Sequence, residues 1–417
     1  MHHHDLDPMM IRISVLALTA AVGVSACRSP KYTDVDGEVV RAAQPSRDTA
    51  IAKAVRGVLD RARADSAFPG GIAIVGTKNR VITTYAVGSL DWAPSPRPDE
   101  HTMWDMASLS KVMGMTSAMM QLVAQHKVDL NDPLQKYFPT WTGPNKEKVT
   151  IRHLLTHTSG LPAFKAYDEI THDPDSLAKL MFSTPLDTLP GAKMVYSDIG
   201  AYMAGRVVEK ISGQTLDAYV HDHVFAPLKM TETMYKPPAS LIDRIAPTEI
   251  DPRRGGLVRG KVHDERAYYL GGVSAHAGIF SSAHDLARFA QMYLNGGTLD
   301  GARVLDAATI SQFTKYVDSS FSNRGIGWQK PDLPGQRFAA PSASWAGQLM
   351  SHAAFGHTGF TGTSIAIDPP NDIFIVLLTN RVNPTRNNNK ITAVRRQLAD
   401  GVMSIVRGVP IPQRSNP

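Results

Sequence analysis

Two pairs of β-rich runs sit at opposite ends of the chain, and this placement limits the possible folds more than any other feature. Ile72–Val75 and Val81–Val87 flank Gly76-Thr77-Lys78-Asn79-Arg80, while Thr363–Ile367 and Ile373–Leu378 flank Pro369-Pro370-Asn371-Asp372. Clusters of Gly, Pro, Asn and Asp between β-branched runs mark hairpin turns. When both hairpins join one antiparallel sheet, every local connection stays short and no parallel crossover is needed. Helices bracket the pairs. Ser46-Arg47-Asp48 opens a stretch in which Ile51, Ala54, Val55, Val58, Leu59 and Ala62 share one face, and a last helix is expected over Asn388–Val406. The expected fold is α/β: an antiparallel sheet drawn from 46–104 and 340–408, flanked by the terminal helices, with an α-rich insertion over 105–339. One domain then covers 46–408, and 409–417 is a tail.

With 43% hydrophobic and 20% charged residues in 417, the chain buries a large core. The net charge of +6 is spread without any Lys/Arg run, which argues against a nucleic-acid partner. The single cysteine, Cys27, excludes a disulfide framework and a Cys-based zinc site. Met9-Met10-Ile11-Arg12 begins a basic start followed by an apolar run through Ala26, too short for a permanent membrane span. Val24-Ser25-Ala26-Cys27 resembles a bacterial lipobox, which implies cleavage before Cys27, lipidation of its thiol and a periplasmic, membrane-anchored protein. Residues 1–27 are thus a leader and signal, Met1–Pro8 being an added or misplaced start, and polar residues 28–45 form a tether.

The chemistry-bearing candidate is Ser108-Leu109-Ser110-Lys111, at the head of the apolar run Val112–Met120. Ser and Lys three apart on one helical face bring the amine to the hydroxyl, and burial can lower a lysine's pKa enough for it to take the serine proton. The helix N-terminus adds donors for an oxyanion. The bland alternative is a solvated Ser and a snorkelling Lys. Tyr196-Ser197-Asp198 opens a second helical stretch after Pro190-Gly191. An ammonium beside a phenol favours the phenolate, which suits the Tyr196 oxygen to relaying the Ser108 proton; otherwise Tyr196 is a core tyrosine. His357-Thr358-Gly359 reads as a Gly-rich turn into a strand, with donors for a carbonyl or an anion.

Other patterns carry less. His153 and His157 have metal-ligand spacing but lack the Glu of H-E-x-x-H, so no metal is expected there. Gly272-Val273-Ser274-Ala275-His276 ends in His where a nucleophile elbow needs Gly. His263-Asp264-Glu265 reads as a solvated loop, and the Met-rich run as core filler.

In order, S-x-x-K, Y-x-[ND] and [KH]-T-G resemble the serine β-lactamase and penicillin-binding protein superfamily, over about 50–406. The Tyr motif brings the resemblance nearest to class C β-lactamases, D-Ala-D-Ala carboxypeptidases and β-lactamase-like esterases. Ile151–Leu161 and Gly271–Ala283 are similar to segments of that group. The resemblance implies a cofactor-free serine hydrolase whose Ser108 forms an acyl-enzyme, with Lys111 and Tyr196 sharing the general-base role. It implies an oxyanion hole from the N–H groups of Ser108 and Phe360, and a substrate cleft lined by Asp198, His357, Thr358 and Gly359. Asp198 stands where Asn is usual and favours a charged Lys111, which moves proton acceptance toward Tyr196. His357 stands where most β-lactamases have Lys, so its charge depends on pH. Both point to an ester or a peptidoglycan-type D-amino-acid peptide ahead of a β-lactam. The alternative is a non-hydrolysing penicillin- or peptidoglycan-binding sensor.

Overall fold

The computed structural model describes residues 45–333 and 343–412, and separately the antiparallel pair Tyr32–Thr33 and Val39–Val40. Cys27, the signal and most of the tether lie outside the described residues.

Helix α1 is Pro45–Ala64, followed by β1 (Gly70–Gly76) and β2 (Val81–Gly88). The segment after Ser108 is π-helical over Lys111–Thr116 and continues as α2, Ser117–Ala124. Next come α3 (Ile151–Leu155), α4 (Asp198–Ser212) and α5 (Ala283–Leu294). The chain closes with β3 (Phe355–Thr358), β4 (Ser364–Asp368), β5 (Ile373–Thr379) and α6 (Ile391–Arg407). The five strands form one antiparallel sheet in the order β3-β4-β5-β1-β2. The two hairpins therefore meet where β5 pairs with β1, Ile375 opposite Val75.

Both central strands are buried on both faces, and alternation divides their side chains between two cores. Ala73, Val75, Ile375 and Leu377 pack with Val55, Leu59 and Ala62 of α1 and with Val394, Leu398 and Val402 of α6. Ile72, Ile74, Val376 and Leu378 face the other way, onto a larger core that includes Met113, Met119, Met120, Phe289 and Met292. The methionines after Lys111 are core filler here, and Ala54 lies only partly inside the α1 face.

Two features differ from the sequence expectation. The inserted region is not purely helical, since Trp104–Asp105, Ile279–Ser281 and Met234–Tyr235 form a small three-stranded sheet. Phe355–Thr358 is itself the edge strand and not a turn leading into one. Gly356 hides it from a propensity reading, yet the glycine is required: a Cβ there would lie 2.4 Å from the Ile365 carbonyl oxygen and 2.7 Å from the Trp345 indole. Beyond β3, Gln329 bridges to Gly356 and Arg324 bridges to Gln329, so a tight turn over 324–329 extends the sheet edge.

Candidate active site

Ser108 stands in a turn just ahead of the π-helical segment, half-buried, not inside a regular helix as its spacing suggested. The turn is built by Asp105. Its buried carboxylate accepts from the Ala107 N–H at 2.8 Å and the His263 N–H at 2.6 Å. Burial raises the Asp105 pKa above the ordinary carboxylate value against the pull of those two donors. Ala107 takes φ of 45°, the left-handed region an alanine rarely occupies, so Ser108 follows a strained residue. A π-helical turn beside a functional residue is a common pairing.

The segment after His357 is fastened to the same turn. Thr361 Oγ1 donates to the Asp105 carbonyl at 2.6 Å, and Thr363 Oγ1 to the Met106 carbonyl at 3.1 Å. Gly359 passes so close that a Cβ would sit 2.4 Å from the Met106 oxygen. Phe360 therefore lies on a loop pinned to the residues leading into Ser108. Among the described residues, neither the Ser108 nor the Phe360 N–H takes part in a hydrogen bond.

Lys111 is the hub. Its Nζ lies 3.0 Å from Ser108 Oγ, 2.9 Å from the His276 carbonyl oxygen and 2.8 Å from Asp198 Oδ1. A lysine ammonium has three protons, and here each has an acceptor. Burial opposes the charge, but Asp198, and after it Tyr196, outweigh that cost and hold the Lys111 pKa above its ordinary value. A lysine left uncharged by burial, the first expectation from S-x-x-K, is thus not what the structure shows. Asp198 is held below the usual carboxylate range: burial would raise it, and Lys111, His276 and Arg266 together lower it.

Tyr196 is packed beneath the lysine, its ring centroid 4.9 Å from Nζ. Arg324 covers the same ring at 5.1 Å, and the His157 and His357 rings lie 4.5 and 6.0 Å from it. The Tyr196 hydroxyl is buried and has no hydrogen-bond partner among the described residues. The neighbouring Ser197 caps α4, its Oγ accepting from the Gly200 N–H at 3.0 Å, which fixes Asp198 at the helix start facing Lys111. His357, on β3, is buried with Nδ1 2.9 Å from the Thr358 carbonyl oxygen. Its pKa lies well below the ordinary histidine value because of burial first, then the positive charges of Arg324 and Lys111. It is neutral near pH 7 and supplies no fixed positive charge.

The sequence patterns set aside earlier turn out to buttress this site. His157 Nδ1 accepts from the Ser197 N–H at 3.1 Å, while His153 completes a capping box with Thr150, so the two histidines do separate structural work. His263-Asp264-Glu265 is not a solvated loop. His263 is buried against Glu249 at 2.9 Å, and Asp264 accepts from Arg266 Nη2 at 3.1 Å and meets His276 Nε2 at 2.9 Å. Arg266 also reaches Asp198 at 2.9 Å. An ionic chain thus runs from Lys111 through Asp198 and Arg266 to Asp264 and His276. Its members sit on distant segments, and only the Asp-x-Arg of 264–266 offered a local sign of it. Ser274, His276 and Asp264 line up as a hydroxyl, an imidazole and a carboxylate, yet Ser274 is buried and its Oγ, 2.7 Å from His276 Nδ1, braces the carbonyl that holds Lys111. His101, Glu232 and His284 come within metal-ligand reach of one another, but Arg244 already pairs with Glu232.

The buried histidines make stability pH-dependent. His157, like His357, is held well below its ordinary value, by burial first and by Arg324 and Lys111 next. An unfolded histidine titrates near pH 6.5, so below about that pH the unfolded chain takes up protons that the folded one refuses. Stability should be complete above about pH 6.5 and fall beneath it, with Asp198 and Asp264 adding their own loss only below about pH 4, where unfolded carboxylates take up protons that the folded ones still refuse. Urea midpoints should decline from about pH 7 to about pH 5.5. A flat midpoint across that interval would count against neutral burial of both rings.

Fold and site together define a serine hydrolase. The chain belongs to the Beta-lactamase family, whose model matches residues 55–400. It is 34% identical over 333 residues to a Salmonella enteritidis PT4 protein provisionally named D-alanyl-D-alanine carboxypeptidase, covering 73% of this chain and 75% of that one. A penicillin-binding protein homologue from Caulobacter crescentus superposes with a TM-score of 0.68 at 19% identity, over 88% of this chain and 99% of that one. EstCE1, a hydrolase with promiscuous acyltransferase activity, gives a TM-score of 0.68 at 22% identity, over 85% and 99%.

Proposed function

We propose that Ser108 forms an acyl-enzyme with an ester or a D-amino-acid peptide of the peptidoglycan type, and acts weakly at most on β-lactams. The observation that carries this reading is the Lys111 ammonium, held between Ser108 Oγ and Asp198 with every proton used. Such a group cannot accept a proton, so it orients the hydroxyl and offsets the charge that develops on it. In this reading Ser108 Oγ attacks the carbonyl carbon, and its proton passes to the Tyr196 oxygen and on to the leaving group. Water then takes the acyl group from Ser108. The Ser108 and Phe360 N–H groups receive the oxyanion, each worth about 3 kcal/mol on the usual scale. Asp198, His357, Thr358 and Gly359 line the cleft. The provisional carboxypeptidase name of the relative supports the peptide class.

A panel of a D-Ala-D-Ala peptide, p-nitrophenyl butyrate and nitrocefin tests the reading, with turnover of the peptide or the ester expected and lost in Ser108→Ala. No turnover in the parent protein, with a persistent penicillin adduct on Ser108, would favour a binding role instead.

We also propose that the protein is a periplasmic lipoprotein anchored through Cys27, on the strength of the apolar leader and Val24-Ser25-Ala26-Cys27. Cys27→Ser should shift the protein from the membrane to the soluble fraction on cell fractionation, and unchanged membrane retention would sink the anchor.

A further inference from the structure

Gly359 and Phe360 share one trans peptide bond, and across such a rigid plane the carbonyl and the N–H point to opposite sides. Whatever holds the Gly359 oxygen therefore decides where the Phe360 N–H points. Arg395 holds it. Its Nη2 donates to the Gly359 oxygen at 2.7 Å and to the Thr363 oxygen at 2.8 Å. The turn also closes on itself: the Gly362 N–H donates to the Gly359 oxygen at 3.2 Å, and the Gly359 N–H to the Thr363 oxygen at 2.7 Å. One guanidinium thus straddles both ends of the turn that carries Phe360.

This arginine comes from α6, distant in sequence, and it sits where a cation is disfavoured. It is 8% exposed, its Nε is unpaired, and no carboxylate pairs with it among the described residues. Burial, and after it the Arg381 charge, weigh against the charged form. Both carbonyl oxygens already have a backbone donor, so a buried cation is more than their satisfaction requires. What it adds is direction and polarity. A charge-assisted bond is shorter and stronger than a neutral one, and electron density drawn to the carbonyl oxygen makes the N–H of the same peptide a better donor. The next peptide unit is tied in the same manner, with Arg381 Nε donating to the Phe360 oxygen at 2.7 Å. Phe360 is therefore gripped on both sides, while its own N–H has no partner among the described residues.

We infer that Arg395 is a positioning residue for acyl transfer: by holding the Gly359 oxygen it points the Phe360 N–H at the substrate carbonyl oxygen, where negative charge develops as Ser108 attacks. This rests on the acyl-enzyme reading, with Phe360 as an oxyanion donor, and adds the group that aims that donor. Arg395 itself touches no substrate. Its contribution grows as the oxygen becomes charged, so its loss belongs in kcat and not in KM.

The test pairs p-nitrophenyl butyrate with its thiono analogue, in which sulfur replaces the carbonyl oxygen. Sulfur is larger and a weaker acceptor, so a well-aimed hole prefers the oxygen ester by more than hydroxide in water does. In Arg395→Met, kcat for the oxygen ester should fall about 10²-fold at nearly constant KM, the lower end of the scale for a lost oxyanion donor. The preference for oxygen over sulfur should shrink by a similar factor, and Arg395→Lys should restore part of both. Methionine follows the arginine stem, and each carbonyl keeps a backbone donor, so the variant should fold. A preference unchanged in folded Arg395→Met overturns the inference even if kcat drops, because a loosened fold slows both esters alike. A parent preference no greater than that of hydroxide overturns it without any variant, so a folding defect does not shield it. If Ser108-dependent ester hydrolysis persists in either case, the hydrolase reading stands alone; if neither ester is hydrolysed through Ser108, both fall.

Discussion

Lys111→Met is expected to slow acylation of Ser108 by about 10⁴-fold, the scale on which one member of a concerted nucleophile-activating set acts. Methionine matches the volume of the lysine stem and suits a π-helical segment packed among methionines, so the variant should fold. The Asp198 carboxylate keeps Arg266 at 2.9 Å, which spares it the full cost of a buried charge left alone. What disappears is the donor 3.0 Å from Ser108 Oγ and the positive charge that offsets the developing alkoxide. Single-turnover acylation by p-nitrophenyl butyrate measures the change. A rate within tenfold of the parent would mean that the ammonium only supports the fold.

Tyr196→Phe should lower the same rate by about 10²-fold or more, the usual effect of removing a proton-transfer group. The substitution deletes one buried hydroxyl that has no partner among the described residues, so its effect on folding should be small or favourable. The ring, with Lys111 and Arg324 against it, remains. Loss of activity with retained stability is therefore the expected signature, read by acylation rate alongside a thermal melt. An unchanged rate would remove Tyr196 from the proton path.

Much of this arrangement was legible before any coordinates. The two hairpins declared themselves because strand runs such as Ile72–Val75 and Ile373–Leu378 are short, β-branched and bounded by turn residues, all local signals. Ser108, Lys111, Tyr196 and His357 were found because their spacing and order form a pattern that survives without knowledge of the loops between them. Other elements had no local signature. β3 was obscured by Gly356, whose role depends on the closeness of Trp345 and Ile365. The chain that runs on from Asp198 through Arg266 and Asp264 to His276 is decided by tertiary packing, so Asp198 was singled out only as a cleft residue and Asp264 looked like part of an ordinary polar loop. Arg324 was invisible for the same reason: nothing around it in sequence says that it ends up stacked on a tyrosine more than a hundred positions earlier. The charge on Lys111 shows the limit most clearly. Position on an apolar helix argued for a lowered pKa while Asp198 in the Tyr motif argued for a charged lysine, and only the carboxylate's place at 2.8 Å shows that the second effect wins.

Acid-quenching the protein during turnover of p-nitrophenyl butyrate and locating the added mass tests the central claim most directly. A butyryl group on the peptide that contains Ser108, absent from Ser108→Ala, is the predicted result. Steady hydrolysis that survives Ser108→Ala, with no acyl group on Ser108 in the parent protein, would contradict it.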